Sequence, residues 1–220
     1  MDQLRVLFFG DSICVGQFVS IHKTWVSQIS SKLENFAKSY NKNLLVINAS
    51  VNGNTTRQAL ERMPYDVQSH KPDIAVIQFG INDSNCWQTD LGNPRVSPKA
   101  FNANLEEIIT RCFTFGAKSI FLNTNHPSGR DFEPLPFKKI AYQENNKLYN
   151  TIIREVAQNN PQIILNDVEF IFEEYTKQNR EQLLSLLLPD LIHLSEKGHN
   201  IYYDYICPKI ENEIKQLITV

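Results

Sequence analysis

Residues 4–9, Leu-Arg-Val-Leu-Phe-Phe, are almost continuously apolar, short, and rich in branched and aromatic side chains. That is the pattern of a strand covered on both faces rather than of a helix. Runs of the same kind recur at 44–47, 74–79, 119–123 and, more briefly, 163–165. Between them the apolar positions change to helical spacing. Over 24–39, Trp25, Ile29, Leu33 and Phe36 line one face. A second helix is expected from Asn54 or Thr55, either of which suits a cap, to about residue 69, where Lys71-Pro72-Asp73 breaks the pattern. Helices are also expected over 98–115, with Pro98 in the first turn and Gly116 at the end, over 137–159, over 168–188 and over 195–219. Loops are expected at 15–22, 84–97 and 124–136, and a tight loop at 189–193.

Five strands alternating with helices predict a parallel sheet with right-handed crossovers and helices on both faces, a three-layer α/β/α sandwich. A chain that starts with a central strand suits the flavodoxin-like order 2-1-3-4-5. With no internal repeat or linker, a single domain over 1–220 is expected.

Composition removes alternatives. The 220 residues are 42% hydrophobic and 21% charged, with a net charge of −2 and both signs interspersed. No basic stripe argues for a nucleic-acid partner and no polybasic run for an anionic membrane. No apolar run approaches the roughly 18 residues of a membrane span. Cys14, Cys86, Cys112 and Cys207 are far apart with no CxxC pair, so neither a zinc cluster nor a disulfide framework is indicated. Strand-like sequence begins by Leu4 with no apolar leader before it, and the expectation is a reduced, cytoplasmic protein.

The chemistry gathers where strands end. Gly10-Asp11-Ser12 follows the first strand, Asn52-Gly53-Asn54-Thr55 the second, and Gly80-Ile81-Asn82-Asp83 the third. In a parallel sheet these turns share one edge, the edge where ligands bind. A serine becomes a nucleophile only beside a base that a third group orients. Of five histidines, His193 stands out because Asp190 lies three residues before it. Each feature alone also fits an ordinary turn or cap; their joint order along the chain is the stronger signal.

Taken together, Gly10-Asp11-Ser12-Ile13, Gly53 in its turn, Gly80-x-Asn82-Asp83 and Asp190-x-x-His193 resemble the four sequence blocks of the SGNH hydrolases, the GDSL-type lipases and esterases. The likeness extends to Val46-Ile47-Asn48-Ala49 and to Leu194-Ser195-Glu196-Lys197-Gly198-His199, and so covers about the whole chain. It departs at Ile13 and Cys14, where leucine and a small hydroxyl residue are common, and at Asn54, which replaces a frequent aspartate. The resemblance implies hydrolysis of a small-molecule ester without metal or organic cofactor. It implies Ser12 as nucleophile, His193 as base, Asp190 as its orienting acid, and an oxyanion hole from the N–H groups of Ser12 and Gly53 and the amide of Asn82. Asp11, Asp83, Trp87 and His126 are the expected substrate contacts. The polar loops at 84–97 and 124–136 favour short acyl groups on a sugar or other polar alcohol. A thioesterase or lysophospholipase would use the same residues, and a flavodoxin-like nucleotide or flavin binding module is the rival of another class. Against that module, no glycine-rich phosphate loop follows the first strand.

Overall fold

The computed structural model describes residues 3–219. Its sheet contains β1 (Gln3–Gly10), β2 (Asn43–Asn48), β3 (Ile74–Gln78), β4 (Ser119–Asn123) and β5 (Ile163–Asn166), all parallel, in the order β2-β1-β3-β4-β5. The expected order is the observed one. β1 is central, with Val6 level with Val46 on one side and Ile74 on the other.

Successive strand residues point to opposite faces, and the core divides accordingly. Val6, Phe8, Ile74, Val76 and Phe121 meet Trp25, Ile29 and Leu33 of α2 (Trp25–Ser39) and Ile206, Ile210 and Ile214 of the long C-terminal helix (Glu196–Thr219). Leu7, Phe9, Ala75, Ile77, Ile120 and Leu122 face the other way. They are covered by Ala59 and Met63 of α3 (Thr56–Asp66), Phe101 and Leu105 of α5 (Pro98–Thr114), and Tyr149 and Ile153 of α6 (Tyr142–Asn159). β1 from Val6 onward, β3 and β4 are buried on both faces, which is why their runs read as continuously apolar, whereas the edge strand β2 is partly exposed. Among the described residues no helix is long and apolar enough to cross a membrane.

Several expected boundaries move. Two short helices sit at strand ends, α1 (Ser12–Val15) and α4 (Ile81–Ser84), and single 3₁₀ turns occupy Ile21–Lys23, Gln68–His70 and Gln88–Asp90 inside or beside the expected loops and helices. α3 stops at Asp66 rather than near 69. α6 starts at Tyr142 rather than 137, because Phe137 takes a left-handed conformation (φ 60°) and Pro134 bridges to Ala141. The helix expected over 168–188 is two helices, α7 (Val168–Thr176) and α8 (Arg180–Ser185). Lys177 and Gln178 are both left-handed, and the Asn179 side chain then accepts from the Gln182 N–H to start α8. The C-terminal helix, α9, completes the chain at Glu196–Thr219. Between α8 and α9, Leu187 pairs with Leu194, so residues 187–194 form a closed turn instead of a helix end.

Candidate active site

At the end of β1 the chain turns immediately into α1. The Asp11 side chain accepts from the Ile13 N–H at 3.0 Å and so caps that helix. Only glycine fits before it: a Cβ on Gly10 would lie 2.6 Å from the Cys14 sulfur and 2.8 Å from the Gln78 carbonyl oxygen. Ser12 is therefore held at the first position of α1, buried but for its edge. Its Oγ lies 2.9 Å from His193 Nε2, and His193 Nδ1 lies 2.5 Å from Asp190 Oδ2. Asp190 Oδ1 also accepts from the N–H groups of Ile192 and His193. Burial pushes the Asp190 carboxyl up, but the His193 ring and those two N–H groups outweigh it and hold it below the usual carboxylate range. An ionised Asp190 can only accept, so Nδ1 of the neutral ring carries the hydrogen and Nε2 is left to accept from Ser12.

The turn that carries Asp190 and His193 is fixed carbonyl by carbonyl. Arg130 donates from Nε (3.1 Å) and Nη2 (3.0 Å) to the Asp190 carbonyl. The Gly129 N–H donates to Leu191 at 2.8 Å, His126 Nε2 to Ile192 at 2.8 Å, and the Leu188 N–H to His193 at 2.7 Å. Leu191, at its tip, is left-handed with φ 64°. A strained tip persists because its neighbours over-determine it.

The opposite wall comes from the turns after β2 and β3. Gly53 has φ 74°, a conformation that favours glycine, and a Cβ there would meet no protein atom within 4 Å, so the space beside it is open. Arg62, whose guanidinium lies over the Phe9 ring, braces this turn by donating to the carbonyls of Ala49 and Gly10 and to Asn54 Oδ1. Asn82 Nδ2 donates to Asp11 Oδ2 at 3.0 Å. Arg95 donates from Nη1 to the Gly53 carbonyl (3.0 Å) and to Asn82 Oδ1 (3.4 Å), and its guanidinium lies 4.4 Å from the centre of the Trp87 ring.

The expected substrate contacts divide. Trp87 is half-exposed, at 52%, and open to solvent. Asp11, Asp83 and His126 are fully buried at 0% and are committed to protein partners, which corrects their expected role: they support other site residues instead of facing a ligand. Asp83 Oδ1 accepts from the N–H and hydroxyl of Thr56, tying the Asn82 turn to the start of α3. His126 receives the Tyr202 hydroxyl at Nδ1, and burial pushes it down to about 4, so it stays a neutral strut. The loop containing it, 124–136, was expected to favour short acyl groups on a polar alcohol, but its first residues, 124–129, are buried. Arg62, Arg95 and Arg130 were not singled out from the sequence. Each donates to at least one backbone carbonyl distant in sequence, an acceptor that leaves no residue-type pattern to read. Phe18, 74% exposed and edge-on to His193 at 5.4 Å, was missed for the same lack of a motif.

Burial also pushes Asp11 up to about 7, and Asp83 up to about 6. An unfolded aspartate ionises near pH 3.9. Between the two values the folded protein binds the extra proton, so the contribution of Asp11 to stability is greatest below about pH 4, falls as pH rises, and levels off above about 7. The melting temperature of the wild type relative to Asp11→Asn should accordingly decline between pH 4 and pH 7; a difference that stays flat across that interval would contradict the burial argument.

A serine at a strand end, a histidine bonded to it and a carboxylate bonded to that histidine form the arrangement of nucleophile, base and orienting acid, here on an α/β/α sandwich. The GDSL-like lipase/acylhydrolase family model matches residues 8–201, and the chain belongs to that family. It is 30% identical to the lipoprotein YqeF of Bacillus subtilis over 74% of this chain and 72% of that one. It is 29% identical to an arylesterase of Vibrio mimicus, where the match spans 56% of each chain, about half the length of that relative. The crystal structure of an acetylxylan esterase from Geobacillus stearothermophilus superposes with a TM-score of 0.74 at 24% identity, covering 94% of both chains, a likeness of fold.

Proposed function

We propose that this chain, as one hydrolase domain, is a serine esterase that cleaves short-chain esters of a polar alcohol through an acyl-enzyme. The observation that carries the reading is the continuous hydrogen-bonded line from Ser12 Oγ through His193 to Asp190. In the first half-reaction Ser12 Oγ attacks the ester carbonyl carbon while its proton passes to His193 Nε2. The tetrahedral oxyanion is held by the N–H of Ser12, which as the first residue of α1 has no acceptor within the helix, by the Gly53 N–H, and by the second hydrogen of Asn82 Nδ2. The intermediate collapses, the C–O bond to the alcohol breaks, and His193 gives its proton to the departing alkoxide. Water then enters, loses a proton to His193 as it attacks the acyl-serine, and the acid leaves as the proton returns to Ser12. Cys14, buried and with its thiol pushed well up by that burial, takes no part. Four buried free thiols fit the cytoplasmic placement expected from the sequence.

The short-chain preference is supported by two hollows that share Trp87. One, of about 310 Å³, is lined by Thr55, Arg57, Gln58, Asp90 and Arg95 around that ring. The other, of about 400 Å³, is lined by Asn85, Gln88, Arg130 and Glu133 together with Leu135, Tyr142 and two prolines. Hydrogen-bonding groups around an aromatic suit a sugar or similar alcohol. The acetylxylan esterase name of one relative points the same way. One observation favours a longer acyl chain: a third hollow beside α1 has Val15, Ile21, Val26 and Val46 in its lining. A series of p-nitrophenyl esters decides between them. We expect kcat/KM to be highest for acetyl and to fall by chains of about eight carbons. Each buried CH₂ is worth about 0.8 kcal/mol where an apolar lining receives it, so rates that climb steadily with length would move the assignment to a lipase or thioesterase.

A further inference from the structure

We infer that Arg95 is a positioning residue that sets both movable oxyanion donors at once; the inference rests on the serine esterase reading above. One nitrogen, Nη1, donates to the Gly53 carbonyl and to Asn82 Oδ1, at 3.0 and 3.4 Å. The first bond holds Gly53 in its left-handed turn and thereby fixes where the N–H of that residue points. The second fixes which way the Asn82 amide faces. On its other side Asn82 Nδ2 donates to Asp11, so rotating the amide by half a turn would set oxygen against carboxyl oxygen and NH₂ against guanidinium. With Arg95 in place, the remaining hydrogen of Nδ2 stays on the Ser12 side.

Arg95 is itself held for this task. Its main-chain N–H donates to the Asn85 carbonyl at 2.9 Å, Nη2 donates to Gln58 Oε1 at 3.3 Å, and the guanidinium stacks on Trp87. A planar fork can serve two acceptors while lying flat on an aromatic ring, which a lysine ammonium cannot do. The residue comes from the loop before α5, Gly53 from the turn after β2 and Asn82 from the turn after β3, so a single side chain links three segments that the sheet alone leaves independent.

The test uses the full chain with p-nitrophenyl acetate as substrate and propylboronic acid as transition-state analogue, because the boronate oxygen occupies the same donors as the oxyanion. Rates are normalised to the fraction of molecules that a fluorophosphonate labels at completion, so misfolded protein is not counted. Arg95→Met keeps the stem against Trp87 and removes the donors. It should lower kcat about ten- to a hundredfold with KM within twofold, and raise the boronate inhibition constant by a similar factor. Arg95→Lys should recover part of both losses. A wild-type kcat in Arg95→Met, or a raised KM with unchanged boronate affinity, would overturn the proposal. Ser12→Ala separates the two readings. If it is inactive while Arg95→Met is normal, the Arg95 role alone fails; if it hydrolyses at the wild-type rate, the serine esterase reading fails and takes the Arg95 role with it.

Discussion

Alanine at His193 is expected to leave almost no turnover. Under the proposed mechanism that ring moves every proton in the cycle: it accepts from Ser12 Oγ at 2.9 Å, supplies the leaving alcohol, and repeats both for water. Without it the serine remains a neutral hydroxyl and the alkoxide has no acid, so kcat should fall by roughly five to six orders of magnitude. Asp190→Ala should be less severe by about a hundredfold, because the base survives and only its orientation and tautomer are loosened. Part of that orientation is retained by the backbone, since Arg130, Gly129 and His126 grip the carbonyls of residues 190–192 independently of the carboxylate. Steady-state rates on p-nitrophenyl acetate check the ranking. Equal losses in the two variants would mean that the carboxylate does more than orient the ring.

Asn82→Ala should act almost wholly on the transition state. A donor aimed at an oxygen gains strength as negative charge develops there, and one such donor is worth about 3 kcal/mol, a hundredfold or more in kcat. The ground-state carbonyl feels it little, so KM should change by no more than about threefold. Asn82 suits this task for a reason visible in its partners. Its oxygen is engaged by Arg95 and one hydrogen by Asp11, which leaves a single N–H with a fixed direction. A normal kcat with a strongly raised KM would instead make Asn82 a contact to substrate.

Much of this architecture could be read from residue order. Short apolar runs spaced by amphipathic helices were enough to anticipate the parallel sheet, while the order of its strands rested on the likeness to a flavodoxin-like arrangement and not on the periodicity. Ser12 and the Asp190–His193 pair, separated by most of the chain, are brought within hydrogen-bonding distance, and the Ser12 motif pointed to the edge where the parallel strands end. What stayed hidden has physical causes. Lys177, Gln178 and Phe137 interrupt helices by taking left-handed conformations that their side chains do not advertise. Asp11, Asp83 and His126 were expected as ligand contacts. Here they are interior struts, paid in hydrogen bonds to Asn82, Thr56 and Ile192. The arginines that hold the site together each bond to at least one carbonyl distant in sequence, and only the folded chain reveals those acceptors.

The claim on which the rest depends is that Ser12 becomes the acyl carrier. Treating the protein with a fluorophosphonate and locating the adduct by peptide mass spectrometry tests it most directly. The account predicts one adduct, on Ser12, formed in step with loss of esterase activity, and none on a folded Ser12→Ala protein. An adduct on another residue, or a Ser12→Ala protein that still hydrolyses p-nitrophenyl acetate at the wild-type rate, would contradict it.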